Sequence, residues 1–216
     1  MATAATAPSP ASAPPYGDGR ARRSARSRAA IETALFELVG EGTLQPTVQE
    51  VAARAGVAMR SVFRHFSDLE SLFASIDARL RLEAAPLVEQ AQPIGSVADR
   101  VRGMVRLRAT IFERIAPYRR SADLQRWRSP FIRRQHHDLV RVLRSGLSRW
   151  LPELAAASPD VLEGLELVTS FEAWARLRGE QRLGVARARA VMEGTAMRLV
   201  QSRTASTAGR AERVRR

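Results

Sequence analysis

The sequence predicts an all-α protein: an N-terminal three-helix helix-turn-helix domain followed by a larger helical bundle, with about nine helices in total. Three observations carry this. Apolar residues recur every three to four positions through most of the chain. No stretch alternates apolar and polar residues as a half-buried strand would. Ser, Thr or Pro stands where successive helices would begin. With 216 residues, 45% of them apolar, the chain can bury a real core as one domain or two small ones.

The first helix is expected over about 26–39, with Ile31, Leu35, Leu38 and Val39 on one face and Gly40 and Gly42 stopping it. Thr47 then opens the segment TVQEVAARAG, and Glu50 three residues later makes a capping box. Val48, Val51 and Ala52 form its apolar face, and Gly56 can take the left-handed conformation that a sharp reversal needs. A third short helix, about 59–65, is expected to turn Val62, Phe63 and Phe66 inward. Ser67 and Glu70 read as a second capping box before a helix that buries Leu69, Leu72, Phe73 and Ile76. Pro86 and Pro93 bracket a break.

Longer helices follow. Residues 96–116 carry Val97, Val101, Val105, Phe112 and Ile115 as a stripe, and a short segment spans about 118–127. Ser129–Pro130 resembles an N-cap with Pro in the first turn and opens a helix to about Leu151, with Leu139, Val142, Leu143, Leu147 and Trp150 inward. Ser158–Pro159 repeats the device before a helix running through Trp174. Gly184 precedes the last helix, which carries Val185, Val191, Met192, Leu199 and Val200. The chain then divides into a disordered leader with the start of a basic arm (1–23), the helix-turn-helix domain (24–83), the larger domain (84–202) and a disordered basic tail (203–216).

Composition narrows the function classes. The net charge is +13, every basic side chain is Arg, and there is no Cys. Such a balance favours a polyanionic partner, and the missing thiols remove disulfides, thiol catalysis and thiolate metal sites. No run reaches the roughly 18 to 20 apolar residues of a membrane span. The leader MATAATAPSPASAPPYGDG holds no positive charge before its apolar residues, unlike a secretory signal, so a cytoplasmic location is expected. Enzyme signatures are missing: there is no HExxH, Walker loop or GxGxxG. His136 and His137, adjacent on a helix, point about 100° apart and do not converge on a metal. No catalytic residue, cofactor or metal is expected.

The charge is unevenly spread. Residues 1–28 carry +4, residues 29–83 carry −3, residues 84–202 carry +8 and the last 14 carry +4. Within the helix-turn-helix, Arg54, Arg60 and Arg64 stand against Glu50.

Two short helices joined at Gly56–Val57 fit a helix-turn-helix whose second helix enters the major groove. The run RSRAAIETALFELVGEG…TVQEVAARAGVAMRSVFRHFSDLESLF resembles the N-terminal domain of TetR-type transcriptional regulators. The likeness rests on Phe36, the Thr47-initiated helix, the turn Ala55–Val57, the run Phe63–Phe66 and the pair Leu72–Phe73. FEAWARLRGEQRLGVARARAVMEGTAMRLV is similar, more loosely, to the last two helices of some members.

The resemblance implies a homodimer on double-stranded DNA, each subunit reading one half of a palindromic operator, with an unknown small-molecule inducer in the larger domain. It places Thr47 on phosphate, Arg60 and Ser61 toward the bases, and Phe63 and His65 near the backbone; Met59 is a further outward-facing DNA-binding candidate, and Arg64 is expected on base or phosphate. Arg28 and the arm from Arg20 follow as further phosphate or minor-groove contacts, the alternative being a solvated flank. Three departures qualify it. Ala58 replaces the usual Ser or Thr cap of the recognition helix, Phe63 lacks the hydroxyl of the Tyr often found there, and Leu69 stands where a Lys is common. Phe112, Trp127, Phe131 and Trp174 are the candidate inducer-binding aromatics, with Trp150 a further large core side chain. Dimerisation through the last two helices is expected, with Ala188, Gly194 and Ala196 permitting close approach. The competing functions are non-specific architectural DNA binding and a DNA-free ligand-binding or scaffolding bundle.

Overall fold

The computed structural model describes residues 18–214, with side chains through Ser202. It is built of α1 (Asp18–Gly40), α2 (Val48–Arg54), α3 (Met59–His65), α4 (Leu69–Gln90), α5 (Val97–Gln125), α6 (Pro130–Trp150), α7 (Pro159–Val168), α8 (Phe171–Ala175) and α9 (Val185–Val214). A 3₁₀ turn, Pro152–Ala156, links α6 to α7, and a π-turn, Arg176–Glu180, follows α8. No strand occurs among the described residues.

Two apolar cores organise these helices. The first joins Ile31 and Leu35 of α1, Val51 and Ala52 of α2, Val62 and Phe66 around α3, and Leu72, Phe73 and Ile76 of α4. Tyr118 and Ala122 from the far end of α5 and Ile132 from α6 complete it. The second lies among α5, α6 and the C-terminal helices, where Phe112 meets Phe171 edge-on at 5.6 Å. In α9, Ala188, Met192, Ala196 and Val200 recur every fourth residue and face this core. Ala188 and Ala196 are therefore spent on packing within the subunit.

Several boundaries differ from the sequence reading. The first helix begins eight residues earlier than expected, so the described part of the basic arm is helical from Asp18. The cap before α4 is Asp68, not Ser67: its carboxylate accepts the Ser71 N–H at 2.7 Å, and the Ser71 hydroxyl accepts the Asp68 N–H. Pro86 lies inside α4, and the break falls at 91–96. The two segments predicted over 96–127 are one helix, because Pro117 is accommodated inside α5. The segment predicted from Ser158 through Trp174 divides at Thr169 and Ser170. There the Ser170 hydroxyl accepts the Ala173 N–H and starts α8, whereas Ser158 makes no side-chain cap bond. α9 continues to Val214, past the 203 at which a disordered tail is predicted. Most of the leader, residues 1–17, lies outside the described residues.

Candidate nucleic-acid interface

Local chemistry fixes the helix-turn-helix. Thr47 accepts the Glu50 N–H at 3.2 Å, while the Glu50 carboxylate accepts the Thr47 N–H at 2.7 Å and its hydroxyl at 2.8 Å. These bonds satisfy early donors of α2 and hold the Glu50 carboxyl below its usual range. After α2 the chain reverses at Gly56, whose φ of +65° suits a residue without Cβ. The Val57 N–H then reaches back to the Ala52 carbonyl at 3.0 Å. Ala58 caps α3 by backbone geometry alone, with no side-chain bond.

In α3, Val62 and Phe66 are buried four residues apart, and the remaining side chains fall on the other side. Met59 is 47% and Phe63 51% exposed. Phe63 thus faces outward, contrary to its expected place in the core, because it is rotated about 100° from Val62. Arg60 and Arg64 are exposed, and Ser61 is half-buried. Neither Arg60 nor Arg64 forms an ion pair with a described residue, so two free guanidinium groups flank one another across a turn.

Other charges that the sequence offered for this surface are engaged. Arg54 forms a bidentate pair with Glu41, at 2.8 and 2.6 Å, and lies 3.6 Å from Glu37. The Glu41 carboxyl is lowered by that pairing. Arg28 donates to Ser75 at 2.9 Å and to Glu32 at 3.2 Å, and its guanidinium lies over the Phe66 ring at 4.6 Å. It ties α1 to α4 and covers the end of α3. His65 holds a buried Nε2 without a hydrogen-bond partner. Burial, and then the charges of Arg64 and Arg28, lower its pKa, so the imidazole is neutral at pH 7. Arg20, Arg22, Arg23 and Arg26 are exposed along the first turns of α1.

Residues 30–76 match the family model described as bacterial regulatory proteins, tetR family. This segment is a TetR-family DNA-binding domain. Solved structures share the fold across both cores. A transcriptional regulator from Rhodococcus sp. Rha1 is 18% identical and superposes with a TM-score of 0.59, covering 83% of this chain and 96% of its own. The multidrug binding protein EbrR, solved with imidazole, is 18% identical with a TM-score of 0.56, covering 78% of this chain and 93% of its own. No curated protein matches the sequence. The chain thus joins a TetR-type DNA-binding head to a helical fold shared with transcriptional regulators.

Behind this TetR-type head, α4, α5 and α6 enclose a cavity of about 440 Å³. Phe112 and Trp150 line it, but the other candidate aromatics do not. Trp127 is 68% exposed and stacks with Arg128. Phe131 packs against the core of the head. Trp174 is fully buried and donates to Glu113 at 2.9 Å. The sequence reading missed the i, i+3, i+4 series Met104, Leu107, Arg108 and Ile111, which supplies most of the α5 wall. Its helical spacing was visible, but core and cavity residues share that spacing. Among the described residues no cluster of His, Asp or Glu could hold a metal ion, and no helix is long and apolar enough to cross a membrane.

Proposed function

We propose that this protein is a sequence-specific repressor that binds a palindromic operator as a homodimer in the cytoplasm and leaves it when a small molecule fills the α4–α5–α6 cavity. The observation that carries the DNA-reading half is the division of α3. Val62 and Phe66 lock the helix into the core while Met59, Arg60, Ser61, Phe63 and Arg64 stand on its outer side. Arg60, near the helix N-terminus, is the base reader, most naturally through a bidentate contact to guanine, and Arg64 reaches base or phosphate. The Thr47 end of α2 sits toward the backbone. Phe63 supplies apolar contact in place of a phenolic hydroxyl, and the helical arm adds phosphate contacts. With Arg28 and Arg54 engaged inside the subunit, the arm carries most of the long-range attraction.

The dimer reading draws on the outer side of the C-terminal helices. Leu167 on α7 is 64% exposed, and Gly194 on α9 has open space around its missing side chain. That similar structures include one whose name records multidrug binding agrees with a ligand in the cavity.

Selection of bound sequences from a random DNA library with the purified protein tests this reading. The expected product is one enriched palindrome bound by two subunits. Replacing Arg60 by Ala then costs about 1–3 kcal/mol on that site and less on random DNA. Binding without enrichment indicates an architectural protein. No binding indicates a DNA-free bundle.

A further inference from the structure

The cavity behind the head is not uniformly apolar. Leu80, Met104, Leu107, Ile111 and Phe112 supply an apolar wall, and Arg108 interrupts it. Arg108 is only 5% exposed. Its Nη1 donates to the carbonyl and hydroxyl of Thr169, and its Nη2 donates to the Leu143 carbonyl. All three acceptors are neutral, and no described carboxylate lies within 4.0 Å of this guanidinium. Burying a cation in this way is costly unless a counter-charge arrives. Desolvation lowers the Arg108 pKa to about 10, still well above neutrality, so the charge persists.

The rest of the wall leans the same way. Arg119, 3% exposed, also lines the cavity and has a buried Nε with no acceptor; its nearest carboxylate oxygen, on Asp123, is 3.8 Å away. Four Arg residues line the cavity against two acids, and with Arg81 and Asp77 paired at 2.6 Å, Arg108, Arg119 and Arg149 stand against Glu89. Glu166, the acid whose field reaches Arg108, forms no ion pair with it within 4.0 Å, and burial raises its pKa.

We infer that the cavity takes an apolar organic monoanion, a carboxylate on a hydrophobic body, with the Arg108 guanidinium as its counter-charge. The inference rests on the reading of this cavity as the ligand site. A planar guanidinium matches a carboxylate in both charge and donor spacing. A neutral ligand of the same shape leaves the cation unpaired, and an ammonium meets it as a like charge.

Calorimetric titration of the full chain tests this with two apolar bodies, each carrying different heads: decanoate against decanol and decyltrimethylammonium, and 2-naphthoate against 2-naphthylmethanol. At least one carboxylate is expected to bind about tenfold or more tightly than its alcohol, with no detectable binding of the ammonium. Arg108→Met is expected to remove that preference, bringing the carboxylate to the affinity of its alcohol. If that variant fails to fold, Ile111→Trp, which fills the cavity from an apolar position, must abolish carboxylate binding instead. Equal affinity for carboxylate and alcohol, no carboxylate binding, or an undiminished preference in a folded Arg108→Met variant overturns the inference. Operator binding is followed in the same samples. A carboxylate that binds without releasing DNA leaves the inference standing and removes the inducer role, whereas failure of the carboxylates leaves DNA recognition untouched.

Discussion

Ala58 begins the recognition helix without an oxygen to receive the exposed N–H groups of its first turn, whereas Thr47, Asp68 and Ser96 each cap their helices with a reciprocal bond. Ala58→Ser is therefore expected to stabilise the protein by about 1 kcal/mol, read from the urea midpoint, because the Ala58 backbone already has the extended geometry a cap requires. A second residue-scale consequence concerns protons. His65 and His136 both have pKa values lowered first by burial and then by neighbouring Arg charges. The unfolded chain, with imidazoles near 6.5, takes up protons before the folded one does. Stability from these two residues is thus complete above about pH 6.5 and declines as pH falls toward the lowered folded values. Melting temperature should drop between pH 7.5 and 5.5, and the double variant His65→Gln/His136→Gln should flatten the slope. Glu166, raised by burial, contributes with the opposite sign toward the acid end, so the His effect is cleanest near neutrality.

Among the elements, those with strong local signals were legible in the sequence and those decided by long-range packing were not. The α2–turn–α3 unit was read within a residue or two, because a capping box, an obligatory Gly and two buried positions four apart all agree. The sequence divides into separate segments at 116–118, yet α5 continues through Pro117: the same helix carries Phe112 into one core and Tyr118 into the other. That tertiary demand outweighs the local cost of a missing N–H. Arg28 and Arg54 illustrate the same limit at the candidate interface. Their charge was evident, but Ser75 lies 47 positions from Arg28 and Glu41 lies 13 from Arg54, and partners at that separation leave no periodic trace. Packing between α5 and α6 also gives a sharp element-scale expectation. A Cβ at Gly103 would lie 2.8 Å from Cζ3 of Trp150, a ring that lines the cavity. Gly103→Ala should destabilise by about 1–3 kcal/mol through overpacking and should change Trp fluorescence as the ring shifts.

At the scale of the whole molecule, the head and the larger bundle share parts. Tyr118 donates from α5 to the Phe73 carbonyl of α4 at 2.9 Å, and the Ser121 hydroxyl donates to the Leu44 carbonyl at 2.7 Å. At the α6 cap, the Ser129 hydroxyl donates to Glu70. Buried beneath these bonds, Tyr118, Ala122 and Ile132 complete a core otherwise made by α1 to α4. Along the same stretch of α5, Phe112, Ile115 and Arg119 line the cavity. Displacement of α5 at the cavity would therefore load the contacts that join this helix to the head. The same sharing governs stability. If α5 is a structural member of both cores, neither core can melt while the other keeps it in place, and unfolding should be a single transition. The three Trp residues all lie in 127–174, outside the head, while far-UV circular dichroism sees every helix, so the two probes report on different parts. Their denaturation midpoints are expected to coincide in the full chain. A fragment ending at residue 95 should be markedly less stable than the head within the full chain, because it lacks Tyr118, Ala122 and Ile132. Two separated midpoints, or a fragment as stable as the full chain, would show that the head folds independently and that α5 only leans against it.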